Sequence, residues 1–290
     1  MNKWQSIIFT LIFSMGVFIG GNQTTVVAEG SDNVGFLTEE GLPPPGANDP
    51  SCKPSAEHPE PVVLVPGTFE TMERNFINLA PLLKEKGYCV YSLNYGYSGS
   101  VPASGPIEDS ATELKTFIDN VLNLTGADKV SIVGHSQGGM MPRYYMKNLG
   151  GAEKVEDLIG LVPSNHGTEG VAGLTELTST GADLASCKAC QQQATGSDFL
   201  LALNEGDETP GDVSYTVVTT RNDEIVVPFT SAFINGEKEN VTNVTIQDYY
   251  PYDQIEHQNI AQDLLAFNFV FDALEHKGPA DPQRAVGIFK

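Results

Sequence analysis

An α/β chain is the fold class this sequence predicts, with a mainly parallel sheet, helices on both faces and a small insertion. Two observations carry that expectation. Short apolar runs of strand type alternate with segments of helical periodicity, the rhythm of a sheet covered on both sides. In "KVSIVGHSQGGMMPRYYMKNLG" (129–150), one such run stops at a serine fenced by Gly134, Gly138 and Gly139, then turns helical at once. Glycine is costly in regular structure, so three of them around one bend imply that the bend needs them.

The elements follow in order. Residues 1–28 carry Lys3, an uncharged apolar run and the small residues Val26-Val27-Ala28, the layout of a secretory signal cleaved after Ala28. The run is short for a membrane span. Residues 29–60 are rich in Gly, Pro, Asn and acids and read as an extended lead-in to one domain over 61–290. "PVVLVPG" (61–67) is a buried-type strand, "NFINLAPLLKEKG" (75–87) a helix and "YCVYSLNYG" (88–96) a strand. Residues 107–124 place Ile107, Ala111, Leu114, Phe117, Ile118, Val121 and Leu122 on one helical face. "KVSIVG" is the next strand and 140–149 the next helix; "VEDLIGLVPS" (155–164) and "VSYTVVTT" (213–220) are further strands, and 258–275 is a last amphipathic helix. Residues 165–212 are long, polar and glycine-rich, and break the rhythm as a cap or pocket insertion would.

Composition narrows the function classes. The chain has 16 basic and 37 acidic residues, a formal charge of −21, which opposes nucleic acid and anionic membrane surfaces. Export would put the four cysteines in an oxidising compartment, where disulfides form. Three connectivities exist; the simplest joins Cys187 to Cys190 locally and Cys52 to Cys89 across the start of the domain. Cys187-Lys-Ala-Cys190 lacks a second Cys/His cluster at metal spacing, so no metal is expected.

Gly134-His135-Ser136-Gln137-Gly138 fits G-x-S-x-G between a strand and a helix, the turn that exposes a nucleophilic serine. Pro142 removes a helix donor soon after, leaving a carbonyl near Gly138 to find another partner. A serine needs a base, and the base an orienting acid. Of five histidines, His135 lies inside the turn, His58 in the lead-in and His276 near the tail. His257, before the last helix, satisfies the order Ser…Asp/Glu…His; His166, after the strand 155–164, is the competitor. "YTVVTTRNDEIVVP" ends a strand with Asp223 and then Glu224, and the first is the expected acid. The developing oxyanion needs two donors: the N–H of Gln137, and one from Thr68 or Phe69 after the close-approach residue Gly67.

Together "LVPGTFET", "VGHSQGGMMPRYY", "LVPSNHGTEG", "QQQATGSDFLLALNEGDETPG", "TTRNDEIVVPFTSAF" and "IEHQN" resemble the secreted class 2 bacterial lipases of the α/β-hydrolase fold and their fungal lipase B relatives. The resemblance runs over about residues 52–275. It implies Ser136 as nucleophile, Asp223 as acid, His257 as base, Thr68 and Gln137 as oxyanion donors, and a Cys52–Cys89 disulfide. It implies a secreted, cofactor-free, monomeric hydrolase of uncharged esters, triacylglycerols foremost, working at a lipid–water interface. A small-ester esterase, an acyltransferase and a non-catalytic binding module are the alternatives. Met140, Met141, Val171, Leu174 and Phe229 are candidates for an apolar acyl pocket.

Overall fold

The computed structural model describes residue 37 and residues 41–169, 186–236 and 239–289. The signal-like residues 1–28 and the pocket candidates Val171 and Leu174 lie outside them. Six parallel strands form one sheet: β1 (Val62–Val65), β2 (Val90–Ser92), β3 (Val130–His135), β4 (Val155–Leu161), β5 (Ser214–Thr219) and β6 (Val241–Thr245). Their order is β2-β1-β3-β4-β5-β6, and β1, β2 and β3 are buried at every position and β4 at all but Glu156, because both faces are covered. On one face lie α3 (Ile107–Thr125) and α4 (Gln137–Asn148), whose Leu114, Ile118, Val121, Met140, Met141 and Tyr145 join a core cluster with Val63 and Ile132. On the other, α1 (Met72–Phe76), α2 (Leu79–Glu85) and α7 (Leu264–Glu275) bring Phe76, Leu79, Leu83, Phe267 and Val270 onto Leu64, Val133 and Ile159.

The order in which strands are added reverses between β1 and β3, which are neighbours while β2 lies outside β1. In open α/β sheets the crevice beyond the strand ends at such a reversal is where ligands bind. The loops that follow β1 and β3 carry Thr68 and Ser136.

Several boundaries differ from the sequence expectation, each for a local reason. The helix expected over 75–87 is two helices, because α1 starts earlier, capped by Thr71 accepting from the Arg74 N–H at 3.4 Å, and Asn78 separates it from α2. The last helix begins at Leu264, capped by Asp263. Before it stands a 3-10 turn at Ile260–Gln262, so His257 sits in a loop. Strand β6 escaped prediction because "VTNVT" is a half-exposed edge with few apolar residues. Within the insertion, α5 (Lys188–Gln192) packs on α3, and α6 (Asp198–Asn204) packs on α4. A short C-terminal α8 (Pro282–Ala285) follows, its Asp281 cap accepting the N–H of Gln283.

Disulfides join Cys52 to Cys89 and Cys187 to Cys190. Among the described residues no helix is long and apolar enough to cross a membrane.

Candidate active site

The chain turns from β3 into α4 within one residue. Ser136 takes φ 54° and ψ −122°, a region costly for a residue with a Cβ. Gly134 and Gly138 permit this turn. A Cβ on Gly134 would stand 1.9 Å from the Gly138 carbonyl oxygen, and one on Gly138 would stand 2.1 Å from that of Val65. Phe69 after β1 (φ 64°) and Val162 after β4 (φ 44°) are also non-glycine residues at positive φ. Strain therefore gathers at three neighbouring strand ends. Helix α4 runs on through Pro142 to Asn148.

Asp223 and His257 arrive from separate loops and meet. The Nδ1 of His257 lies 2.9 and 3.0 Å from the two oxygens of Asp223, with both side chains buried. The Asp223 Oδ1 also accepts the N–H groups of Ile225 (3.0 Å) and Val226 (2.7 Å), so its orientation is set by backbone. With Nδ1–H donated to the carboxylate, Nε2 carries the lone pair of a base. Glu224, the alternative acid, binds instead the backbone N–H of His257 at 3.2 Å. The His257 ring stands 5.1 Å, centroid to centroid, from that of His135, the residue before Ser136.

The other histidines go elsewhere. His166 faces Glu208 at 3.3 Å, and that hydrogen bond raises its pKa against the effect of burial. Burial pushes the Glu208 carboxylate up, yet the bonds from His166 and Asn235 prevail and hold it at about 2. His58 stacks on Tyr88 and His276 sits on the Asp272 carbonyl.

On the oxyanion side the structure separates the two candidate donors after β1. The Phe69 N–H is given to the Pro102 carbonyl (3.2 Å), that of Glu70 to Gly67 (3.1 Å) and that of Gly67 to Asn75 Oδ1 (2.9 Å). Among the described residues no acceptor meets the N–H of Thr68 or of Gln137. The Thr68 hydroxyl is committed: it donates to Gln137 Oε1 at 2.8 Å and accepts from Gln193 Nε2 at 3.0 Å. Gln193 Nε2 also reaches Gln137 Oε1 at 3.0 Å, while Ser164 Oγ donates to Gln193 Oε1 at 2.8 Å.

Sequence reasoning passed over three of these residues. Gln193 lies in "QQQ", where nothing marks which glutamine turns inward; Asn75 looks like a helix-surface residue; His135 reads in sequence only as a candidate base inside the turn. The pocket candidates divide: Met140 and Met141 are fully buried in the α4 core, and Phe229 is half-buried edge-on to Phe233. Interior packing, rather than a pocket lining, occupies the two methionines.

Comparisons with known proteins agree with this architecture. Residues 59–269 match the family of class 2 lipases. A triacylglycerol lipase of Vibrio cholerae is 35% identical over 95 residues, 28% of this chain and 30% of that protein. Aspergillus fumigatus lipase B superposes with a TM-score of 0.67 at 22% identity, over 80% of this chain and 57% of that one. Mature Bacillus licheniformis lipase BlEst2 gives a TM-score of 0.60 at 17% identity, over 78% of this chain and 96% of that one. The chain thus spans under a third of the Vibrio lipase and just over half of lipase B. A metagenomic α/β hydrolase superposes with a TM-score of 0.51 at 20% identity, over 76% of this chain and 90% of that one. The six-stranded parallel sheet is that of the α/β-hydrolase fold. Because the family match runs from β1 into α7, through every strand and each loop at the strand ends, the chain belongs to the class 2 lipases.

Proposed function

We propose that this protein hydrolyses uncharged carboxylic esters, triacylglycerols among them, through an acyl-enzyme on Ser136. The observation that carries the reading is the seat of His257 Nδ1 on both oxygens of Asp223, next to the strained turn at Ser136. Membership of the class 2 lipases supports it, as does the triacylglycerol lipase name of the Vibrio relative.

In this reading Ser136 Oγ attacks the ester carbonyl while His257 Nε2 takes its proton. Asp223 accepts the Nδ1–H throughout and stabilises the imidazolium that forms. The oxyanion is held by the N–H groups of Thr68 and Gln137. As the C–O bond breaks, His257 passes its proton to the leaving alcohol. Water then attacks the acyl-enzyme, His257 again taking and returning a proton, and the carboxylic acid leaves. No metal or cofactor enters these steps, and one chain supplies every group.

Residues 1–28 are proposed as an export signal, which makes the working protein extracellular and oxidised at its cysteines. The N-terminal sequence of protein collected from medium would then begin at Glu29.

The test of the central claim is covalent. A 4-nitrophenyl phosphonate should label the protein once, at Ser136 by peptide mass mapping, and Ser136→Ala should lose both labelling and ester turnover. Labelling elsewhere, or turnover that survives Ser136→Ala, would overturn the mechanism.

A further inference from the structure

The C-x-x-C pair has no role in the chemistry proposed above, yet it closes the loop from which the oxyanion side of the site is held. Cys187 is the N-cap of α5, its Sγ accepting the N–H of Cys190 at 3.0 Å, and both cysteines are buried. Between them Ala189 is fixed at two points. Its N–H donates to the Ser104 carbonyl at 3.2 Å. Its carbonyl accepts the backbone N–H of Gln193 at 3.0 Å and the side-chain Nε2 of the same residue at 3.2 Å.

That Nε2 is the atom that reaches Thr68 Oγ1 and Gln137 Oε1, each at 3.0 Å. A continuous path therefore runs from the disulfide through the Ala189 carbonyl and the Gln193 amide to the two residues assigned the oxyanion. Helix α5 is five residues long, too short to hold its shape from its own hydrogen bonds. An Nε2 carries two hydrogens for three acceptors here, so its aim depends on where those acceptors are held.

We propose that the Cys187–Cys190 bridge is a positioning device for the oxyanion hole: it fixes the Ala189 carbonyl, and through it aims Gln193 at Thr68 and Gln137. The proposal rests on Thr68 and Gln137 being the oxyanion donors. The two disulfides thus have different work. Cys52–Cys89 closes a loop of sequence separation 37, whereas Cys187–Cys190 closes one of 3. In the chain-entropy account the longer loop stabilises the fold more. The shorter one acts on local geometry.

The test uses Cys187→Ser combined with Cys190→Ala, since serine keeps an N-cap oxygen and the bridge alone is removed. It is compared with Gln193→Ala, with the triple variant and with Cys52→Ala/Cys89→Ala, on 4-nitrophenyl butyrate. A lost oxyanion donor costs about 10²- to 10³-fold in kcat, and a misaimed support of that donor should cost less, about tenfold. Loss of the short bridge should therefore lower kcat about tenfold with KM within about twofold. In the Gln193→Ala background it should add almost nothing, because coupled residues are not additive. Loss of the long bridge should lower the melting temperature more and kcat less. A second reading is independent of turnover: in protein labelled with 15N-glutamine, the side-chain NH2 signal that Gln193→Ala removes should exchange with water at least about tenfold faster once the short bridge is gone.

An unchanged kcat, a full tenfold further loss in the Gln193→Ala background, or an unchanged exchange rate would each overturn the proposal. Turnover that survives Ser136→Ala would instead sink the functional reading, and the exchange rate would still decide the role of the bridge. Should the substituted protein fail to fold, reducing the folded Cys52→Ala/Cys89→Ala protein with a phosphine, which leaves the short bridge as the disulfide that is cut, and following the same amide gives the answer.

Discussion

The Nε2 of His135 lies 2.9 Å from the carbonyl oxygen of His257. His135 precedes the serine of the turn, so this bond ties the loop of the proposed base to the strand that presents the proposed nucleophile. A carbonyl only accepts, which makes Nε2–H the donor and leaves Nδ1 as an acceptor. At 3.1 Å from Nδ1 stands the amide of Asn75, whose Oδ1 takes the Gly67 N–H at 2.9 Å, so its Nδ2 donates to the ring. One buried chain, Gly67–Asn75–His135–His257, thus links the loop after β1, the turn at Ser136 and the loop of the proposed base. Burial, with the nearby His257 adding to it, pushes the His135 pKa down to about 3. The relay stays neutral wherever the enzyme would work.

His135→Leu should therefore keep the fold and lose kcat by about tenfold, since a displaced support costs less than the 10²–10³ of a lost oxyanion donor. KM should change little. The pH profile should keep its shape, because burial holds the His135 ring neutral. A shifted acidic limb in this variant would mean that His135 itself titrates in the reaction.

His257→Ala should lose at least about 10³-fold in kcat/KM, as removal of a triad member does. His166→Ala should keep most activity, because His166 serves Glu208, which also lies 3.9 Å from the buried Arg143 guanidinium. Its loss should appear in stability. The reverse pattern in steady-state kinetics would reject the assignment of the base.

Much of this architecture was legible in the sequence, for identifiable reasons. Strands β1, β3, β4 and β5 are buried at nearly every position and each carries at least two adjacent Val, Ile or Leu residues, so their composition announces them. The turn at Ser136 was legible through its glycines, which answer backbone contacts that would otherwise be impossible. Asp223 could be preferred to Glu224 by chain position alone, but not the use of Glu224 on the His257 backbone. Asn75 and Gln193 stayed hidden because side-chain amides carry no periodicity and no charge. Their meaning comes only from what the fold sets opposite them. β6 stayed hidden for the related reason that an edge strand need not be apolar.

Asp157 gives a pH dependence of stability rather than of activity. It lies near the start of β4, buried, accepting from Ser131 Oγ at 2.8 Å. Burial, beyond what that bond offsets, raises its pKa from 3.8 to about 7. Between these values the folded state holds a proton that the unfolded state has released, so stability falls as pH rises through this window. Asp157→Asn removes the charge and keeps an acceptor for Ser131. It should match wild type near pH 4 and exceed it at pH 8 by on the order of 2 kcal/mol or more. Urea unfolding at the two pH values checks this; an equal gain at both would show packing, not ionisation, at work.

The last prediction concerns the acyl chain. A chain of net charge −21 gives no attraction to anionic substrates. Just past Asp223 the loop is apolar: Ile225 and Val226 are buried, Val227 is exposed and Phe229 half-buried. Substrate carbon buried against such surface gains up to about 0.8 kcal/mol per methylene, close to fourfold in kcat/KM until the available surface is filled. Specificity should therefore rise from 4-nitrophenyl acetate to the butyrate and beyond, and tributyrin emulsion should be hydrolysed. A succinate half-ester, as long as the butyrate but anionic, should be turned over far more slowly than the butyrate. Val227→Asp, which puts charge on the exposed part of the loop, should flatten the rise with chain length while leaving acetate turnover within about twofold. Rates that fall steadily from acetate upward, with tributyrin untouched, would leave a small-ester esterase in place of a lipase.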